Sequence, residues 1–286
     1  MRAGRPATWA VALLTAIALL PASLKAAEPD SSGYRWLLHN HIAMLGLNGV
    51  SVATAFDYVG LRERPRTAAG LGEIHRRLLA IPPARMTPAE RKAWAINLYN
   101  FLVIESVMAH FGADGEPPAS VRDVKGFFDE PVVEVEGRRY SLNAFERHFL
   151  FADFDREGGA PPPAGLDPRV HFVLVCAARG CPPLGASPYR AATLDADLDA
   201  AVRSALLGHT QLRAGPKPGV YEVSSIFDWY AKDFGGHAGV LEFLKRYAPA
   251  EAAGAIAKRG GNALAGFIPW DWRLNQSGPL ARGEGP

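Results

Sequence analysis

The sequence predicts an α+β fold in one globular domain, a small and mostly antiparallel sheet packed with several helices. Three observations predict it. Apolar residues recur at three- and four-residue spacing through most of the first half. Short alternating runs bounded by Gly and Pro follow Gly126. No Pro/Gly-rich linker divides the 286 residues, whose 48% hydrophobic composition can bury a sizeable core.

Arg2 and Arg5 precede an apolar run from Ala7 to Leu20, followed by Pro21 to Ala27. That order predicts a secretory signal peptide cleaved near Ala26. The run is shorter than the roughly 20 residues that span a bilayer, and no cysteine follows it that could carry a lipid anchor. The expected organisation is therefore a signal peptide over 1–26, a disordered start over 27–33, one globular domain over 34–275 and a flexible tail over 276–286. The protein is expected in the periplasm or secreted, with no stable membrane insertion after cleavage. Cleavage removes Arg2, Arg5 and Lys25, leaving 28 basic against 29 acidic residues, so the basic balance belongs to the leader. Nucleic acid is not an expected partner.

The spacing predicts helices over Tyr34–Leu47, Gly70–Ala80 and Thr87–Phe111. The third opens on Thr87-Pro88-Ala89-Glu90, an N-cap, a proline at the first helical position and a glutamate placed for a capping box. Trp94, Asn97, Phe101, Ile104 and Met108 share one face, which sets Asn97 and Asn100 amid bulky apolar neighbours. Pro131 to Tyr140 alternates around Gly137 and reads as a hairpin. Ser141 to Phe151 returns to helical spacing, and the Gly/Pro stretch Gly158–Gly165 reads as a surface loop. Arg169–Val175 is a β-rich run, Leu194–Leu207 and Ala238–Tyr247 are amphipathic helices, and Val220–Val223 and Phe267–Trp270 are short strands.

The most informative stretch runs from Asp167 to Pro183. On an extended strand His171 and Cys176 would face opposite sides, about 16 Å apart, which excludes a direct pair. The only two cysteines, Cys176 and Cys181, leave three readings open. An exported protein would bridge them. Alternatively, Cys181 is a thiolate nucleophile whose pKa is lowered by Arg179, His148 or His171. The third makes both thiols and His171 metal ligands, with three clear ligands and irregular spacing. The spacing is not the Cys-x-x-Cys of thioredoxin-like proteins, and no Gly-x-Ser-x-Gly elbow, His-Glu-x-x-His or phosphate-binding glycine loop is present. Asp167 and Arg169 read as a structural ion pair, and Phe227, Trp229 and Tyr230 as core aromatics.

Several dispersed signatures resemble the proteins carrying domain of unknown function 547. They are Trp94-Ala-Ile-Asn97-Leu-Tyr99-Asn100, Ser141-Leu142-Asn143 with Glu146, Asp167-Pro-Arg-Val-His171-Phe with Cys176 and Gly180-Cys181-Pro-Pro, Phe227-Asp-Trp-Tyr230 with Asp233-Phe, and Trp270-Asp271-Trp-Arg-Leu274-Asn275. The family's name assigns no activity. Its members carry a histidine directly after the glutamate, where this chain has Arg147 and then His148. That displacement turns the imidazole by about 100° on a helix and makes His171 the preferred base. The resemblance extends to proteins of reducing compartments, where a structural disulfide would not persist.

The resulting expectation is a thiol-dependent hydrolase or acyl transferase acting on a peptide or amide. Cys181 is the nucleophile, His171 the base, and Asn97, Asn100 or Glu146 orient them. Arg179, Trp94, His148, Cys176 and Trp270 are the expected binding residues. No cofactor and no metal site are assigned, and the partner is a small molecule or peptide. The alternative is a non-catalytic binding or scaffold module with a structural Cys176–Cys181 disulfide.

Overall fold

Helix α1, Ser32–His41, opens the computed structural model, which describes residues 28–47, 50–151 and 166–278. The expected signal peptide, the loop Gly158–Gly165 and residues 279–286 of the tail lie outside these residues. Two ends expected to be loose are held. Glu28 accepts the amide of Ala191 at 2.7 Å, and Asp30 pairs with Arg77. Gln276 accepts the amide of Tyr58 at 3.1 Å, and Ser277 donates to the carbonyl of Phe56 at 3.0 Å.

The helix expected over 34–47 stops at His41, and the chain continues as β1, Ile42–Leu47, antiparallel to β2, Val50–Phe56. The apolar residues of 42–47 match a helical period, but Asn48-Gly49 behind them is a hairpin signal that overrides it. Helices α2, Tyr58–Arg62, and α3, Pro65–Leu78, lead to α4, Pro88–Ala109, where the expected capping box of Thr87 and Glu90 is formed. Fifteen of the 22 residues of α4 are buried, so it runs through the main core with protein on every side.

Strands β3, Pro131–Val135, and β4, Arg138–Ser141, form the expected hairpin, and the Ser141 hydroxyl caps α5, Leu142–Phe149, by accepting the amide of Ala144. Beyond α6, Leu194–Leu206, strands β5, Leu212–Ala214, and β6, Tyr221–Ser224, pair antiparallel. Helices α7, Ile226–Trp229, α8, Gly236–Tyr247, and α9, Ala250–Arg259, then carry the chain over to β7, Leu264–Ile268, which pairs parallel with β6. A parallel partner needs such a long crossover. The fold is α+β as expected, but among the described residues the strands make three small sheets rather than one. Among the described residues no helix is long and apolar enough to cross a membrane.

Phe172, Phe227, Phe234 and Phe243 centre a second apolar cluster between α6, α7 and α8. The segment from Pro168 to Pro183 runs along the boundary between this cluster and the core around α4.

Candidate functional site

The strand expected over Arg169–Val175 is not formed: Pro168–Phe172 is a 3-10 turn. Local chemistry decides this. Asp167 accepts the amide of Arg169 at 3.1 Å and clasps its guanidinium through both carboxylate oxygens, which tightens the chain directly after a proline. Arg169 also reaches Asp195 and Asp199 on α6, confirming its structural part. Downstream, Asn100 replaces a neighbouring strand. Its amide nitrogen donates to the carbonyl of Val173 at 2.8 Å, and its oxygen accepts the amide of Val175 at 3.0 Å. Asn97 holds both backbone groups of Tyr189 in the same manner, at 2.8 Å each.

With the strand goes the alternation that separated His171 from the cysteines. His171, Cys176 and Cys181 all line one cleft of about 160 Å³. Asn143 and Glu146 from α5, Tyr99 from α4 and Tyr230 add to its polar lining, while Phe128, Trp229, Trp270 and Trp272 supply aromatic walls. Half of the Trp229 surface remains exposed (49%), against its expected place in the core, because it sits at the rim against Trp270, ring centres 5.0 Å apart. Tyr230 likewise turns to the cleft, and Phe227 alone of that trio is core.

His171 Nε2 lies 2.9 Å from Asp233 Oδ2, and its ring packs nearly parallel to those of Phe151 at 4.6 Å and Tyr230 at 4.1 Å. Burial pulls the imidazole pKa below its usual value against the opposing pull of the Asp233 carboxylate. Glu146 shares a hydrogen bond with the Tyr99 hydroxyl. Crowding by protein atoms pushes its carboxyl up to about 7, with Asp233 adding to the rise and Arg147 opposing it. Tyr230 is pushed up to about 12, chiefly by burial and then by the charges of Glu146 and Asp233. The cleft thus gathers an imidazole whose charged form is disfavoured and a carboxyl whose protonated form is favoured, two groups suited to proton transfer.

Cys176 and Cys181 form a disulfide, their Cα atoms 6.2 Å apart, so the first of the three readings describes the cysteines here. The bridge is asymmetric. Cys181 Sγ accepts the backbone amides of Cys176 at 3.1 Å and Ala178 at 3.3 Å. Between those two residues Ala177 holds a left-handed φ of 58°, a conformation that costs a non-glycine residue about 1–2 kcal/mol. Two amides flanking a left-handed residue and turned to one point in this way make an anion-binding nest. Among the described residues no group of three His, Cys, Asp or Glu side chains is set to hold a metal ion.

Cys181, His171, Glu146, Cys176 and Trp270 are therefore brought together, and the other five expected site residues are not. Asn97 and Asn100 have both ends of their amides engaged with backbone and stand outside the cleft lining. Trp94 is a core ring packed against Phe145 and Phe149 whose indole nitrogen donates to the carbonyl of Leu78. His148 lies against Tyr140 and Phe149, two residues past Glu146 and so on the other side of α5 from the cleft. Arg179 is exposed and gives its guanidinium to the carbonyl of Leu274 rather than to either sulfur. Asp233, Tyr99, Tyr230, Trp229 and Trp272 were missed as site residues. All five stand inside the quoted signatures, which were the available signal.

The cleft closes over residues 271–275, which pair with 177–180: Gly180 donates to Asp271 at 2.9 Å, and Arg179 to Arg273 at 2.9 Å. A Cβ at Gly180 would stand 2.9 Å from the Trp270 indole and 3.0 Å from the Asp271 nitrogen. Gly180→Ala is expected to cost about 1–3 kcal/mol by overpacking and to displace Trp270, read as a lower urea midpoint with a shifted tryptophan emission.

Residues 83–204 match the family model described as a protein of unknown function, DUF547. No curated protein and no solved structure matches the chain. The matched segment supplies Tyr99, Glu146, His171 and both cysteines, while Asp233 and the tryptophans come from beyond it.

Proposed function

Through residues 83–204 this chain belongs to the DUF547 family, and from that premise we propose that it is a thiol-dependent hydrolase or acyl transferase acting on a peptide or amide. The observation that carries this reading is the setting of Cys181. Its sulfur receives two backbone amides in the cleft that also holds the His171–Asp233 pair and Glu146. Hydrogen bonds to a thiolate favour the charged form and lower its pKa.

While the bridge is closed Cys181 has no thiolate to offer, so the bridged form is the resting form. In the reduced form Cys181 gives its proton to His171. Asp233 occupies Nε2, which leaves Nδ1 as the accepting nitrogen. The thiolate attacks the amide carbonyl carbon and a C–S bond forms. The C–N bond then breaks as protonated Glu146 gives its proton to the leaving nitrogen. Water, or an acceptor amine in a transferase, finally cleaves the thioester. Export, inferred from the Arg2-to-Ala27 leader, would place the chain where oxidation keeps the bridge closed.

The closed bridge itself favours a second reading, a non-catalytic binding or scaffold module stapled by Cys176–Cys181. Iodoacetamide labelling of the folded protein, after phosphine reduction and removal of the phosphine, separates the two. A catalytic Cys181 is expected to label with a midpoint well below the ordinary thiol value of about 8.5, and His171→Ala to slow it at least tenfold near pH 7. Slow, equal labelling of both thiols, or loss of the fold on reduction, would establish the stapled module instead.

A further inference from the structure

The two sulfurs of the bridge differ in burial and in hydrogen bonding. Cys181 is only 8% exposed and accepts both nest amides, whereas Cys176 is less buried and accepts neither. Both line the open cleft. We infer that the bridge is a thiol-exchange site: an external low-molecular-weight thiolate attacks Cys176 Sγ from the cleft, and Cys181 departs as a thiolate into the nest of the Cys176 and Ala178 amides.

Exchange is governed by which sulfur can be reached and by how well the other leaves, and a thiol of lower pKa leaves faster. Both criteria select the same direction here. The incoming S–S bond forms on Cys176, the Cys176–Cys181 bond breaks, and its electron pair goes to Cys181. A second external thiolate then attacks the mixed disulfide at the external sulfur. It releases the oxidised small molecule and leaves Cys176 reduced, so two thiols supply the two electrons. No proton has to reach Cys181 for the first step, because the two amides already face the sulfur where charge develops. Ala177 keeps its left-handed backbone on the closed side of the reaction, so the nest exists before the bond breaks.

This site goes beyond the hydrolase reading. It needs no amide substrate, and it supplies the reduced form on which that reading rests. The test uses the oxidised full-length protein and glutathione at neutral pH without denaturant. The reaction is quenched in acid within seconds, alkylated and mapped by peptide mass spectrometry. The expected product carries glutathione on Cys176 and the alkyl label on Cys181, in at least tenfold excess over the reverse. An even mixture, a preference for Cys181, or a bridge that opens only in guanidine would overturn the inference. The hydrolase reading fails separately. If the bridge resists glutathione but phosphine-reduced Cys181 labels at low pH, the exchange site falls and the nucleophile stands. If exchange occurs at Cys176 while His171→Ala leaves Cys181 labelling unchanged, the nucleophile–base pair falls and the exchange site stands.

Discussion

Replacing Asn100 with alanine is expected to lower the unfolding free energy by about 3 kcal/mol, measured as a reduced midpoint at unchanged slope in urea. Asn100 is 1% exposed and closes a two-bond clasp on Val173 and Val175. Alanine leaves one buried carbonyl and one buried amide without partners, each costing about 1–3 kcal/mol, in addition to the space vacated in α4. The effect does not stop at stability. The clasped residues lie between His171 and Cys176, so a slack segment lets the imidazole and the sulfurs drift apart on opposite sides of it. Reduced Asn100→Ala should therefore show weaker dependence of Cys181 labelling on His171 than the parent. A loss below about 1 kcal/mol would mean that water or a neighbouring side chain takes over the clasp.

The same clasp explains how much of this molecule was legible from sequence. Features encoded by neighbours in the chain were read correctly. The Thr87–Glu90 capping box, the hairpin around Gly137 and the α5 helix behind Ser141 all have their signal within a few residues. The segment Arg169–Val175 has the composition of a strand, but no strand lies beside it. Its hydrogen-bond partner is one asparagine side chain, 73 residues earlier in sequence, and no local period announces that. Strand alternation would put His171 and Cys176 on opposite faces, whereas the 3-10 turn sets both on one cleft. Buried amides such as Asn97 and Asn100 need partners, and a catalytic and a structural role make the same demand of an amide. Asp233 and the tryptophan rim come from the last third of the chain, joined to the site by the Asp233–His171 hydrogen bond and by the pairing of residues 271–275 with 177–180.

Glu146→Gln should match the parent in stability near pH 4 and exceed it as the pH rises toward and through neutrality. In the folded state burial pushes the Glu146 carboxyl up to about 7, above its ordinary value of 4.5. The folded protein therefore binds that proton more tightly than the unfolded chain. The stabilising contribution is fully present below pH 4.5 and is lost as the pH rises through about 7. Above that, the ionised carboxyl opposes folding, by about 2 kcal/mol once solvent reaching it through the cleft is allowed for. Glutamine remains neutral and can still accept from Tyr99, so the variant is expected to gain stability over the parent between pH 5 and 8 and to show no gain near pH 4. In the proposed reaction the sign reverses. The proton that costs stability on leaving is the one delivered to the departing amine, and glutamine cannot deliver it, a loss of about 10²–10⁴ in rate. Urea titrations of both proteins at several pH values read the first effect directly. A stability difference independent of pH would show that Glu146 is an ordinary carboxylate, and the proton donor would have to be sought elsewhere in the cleft.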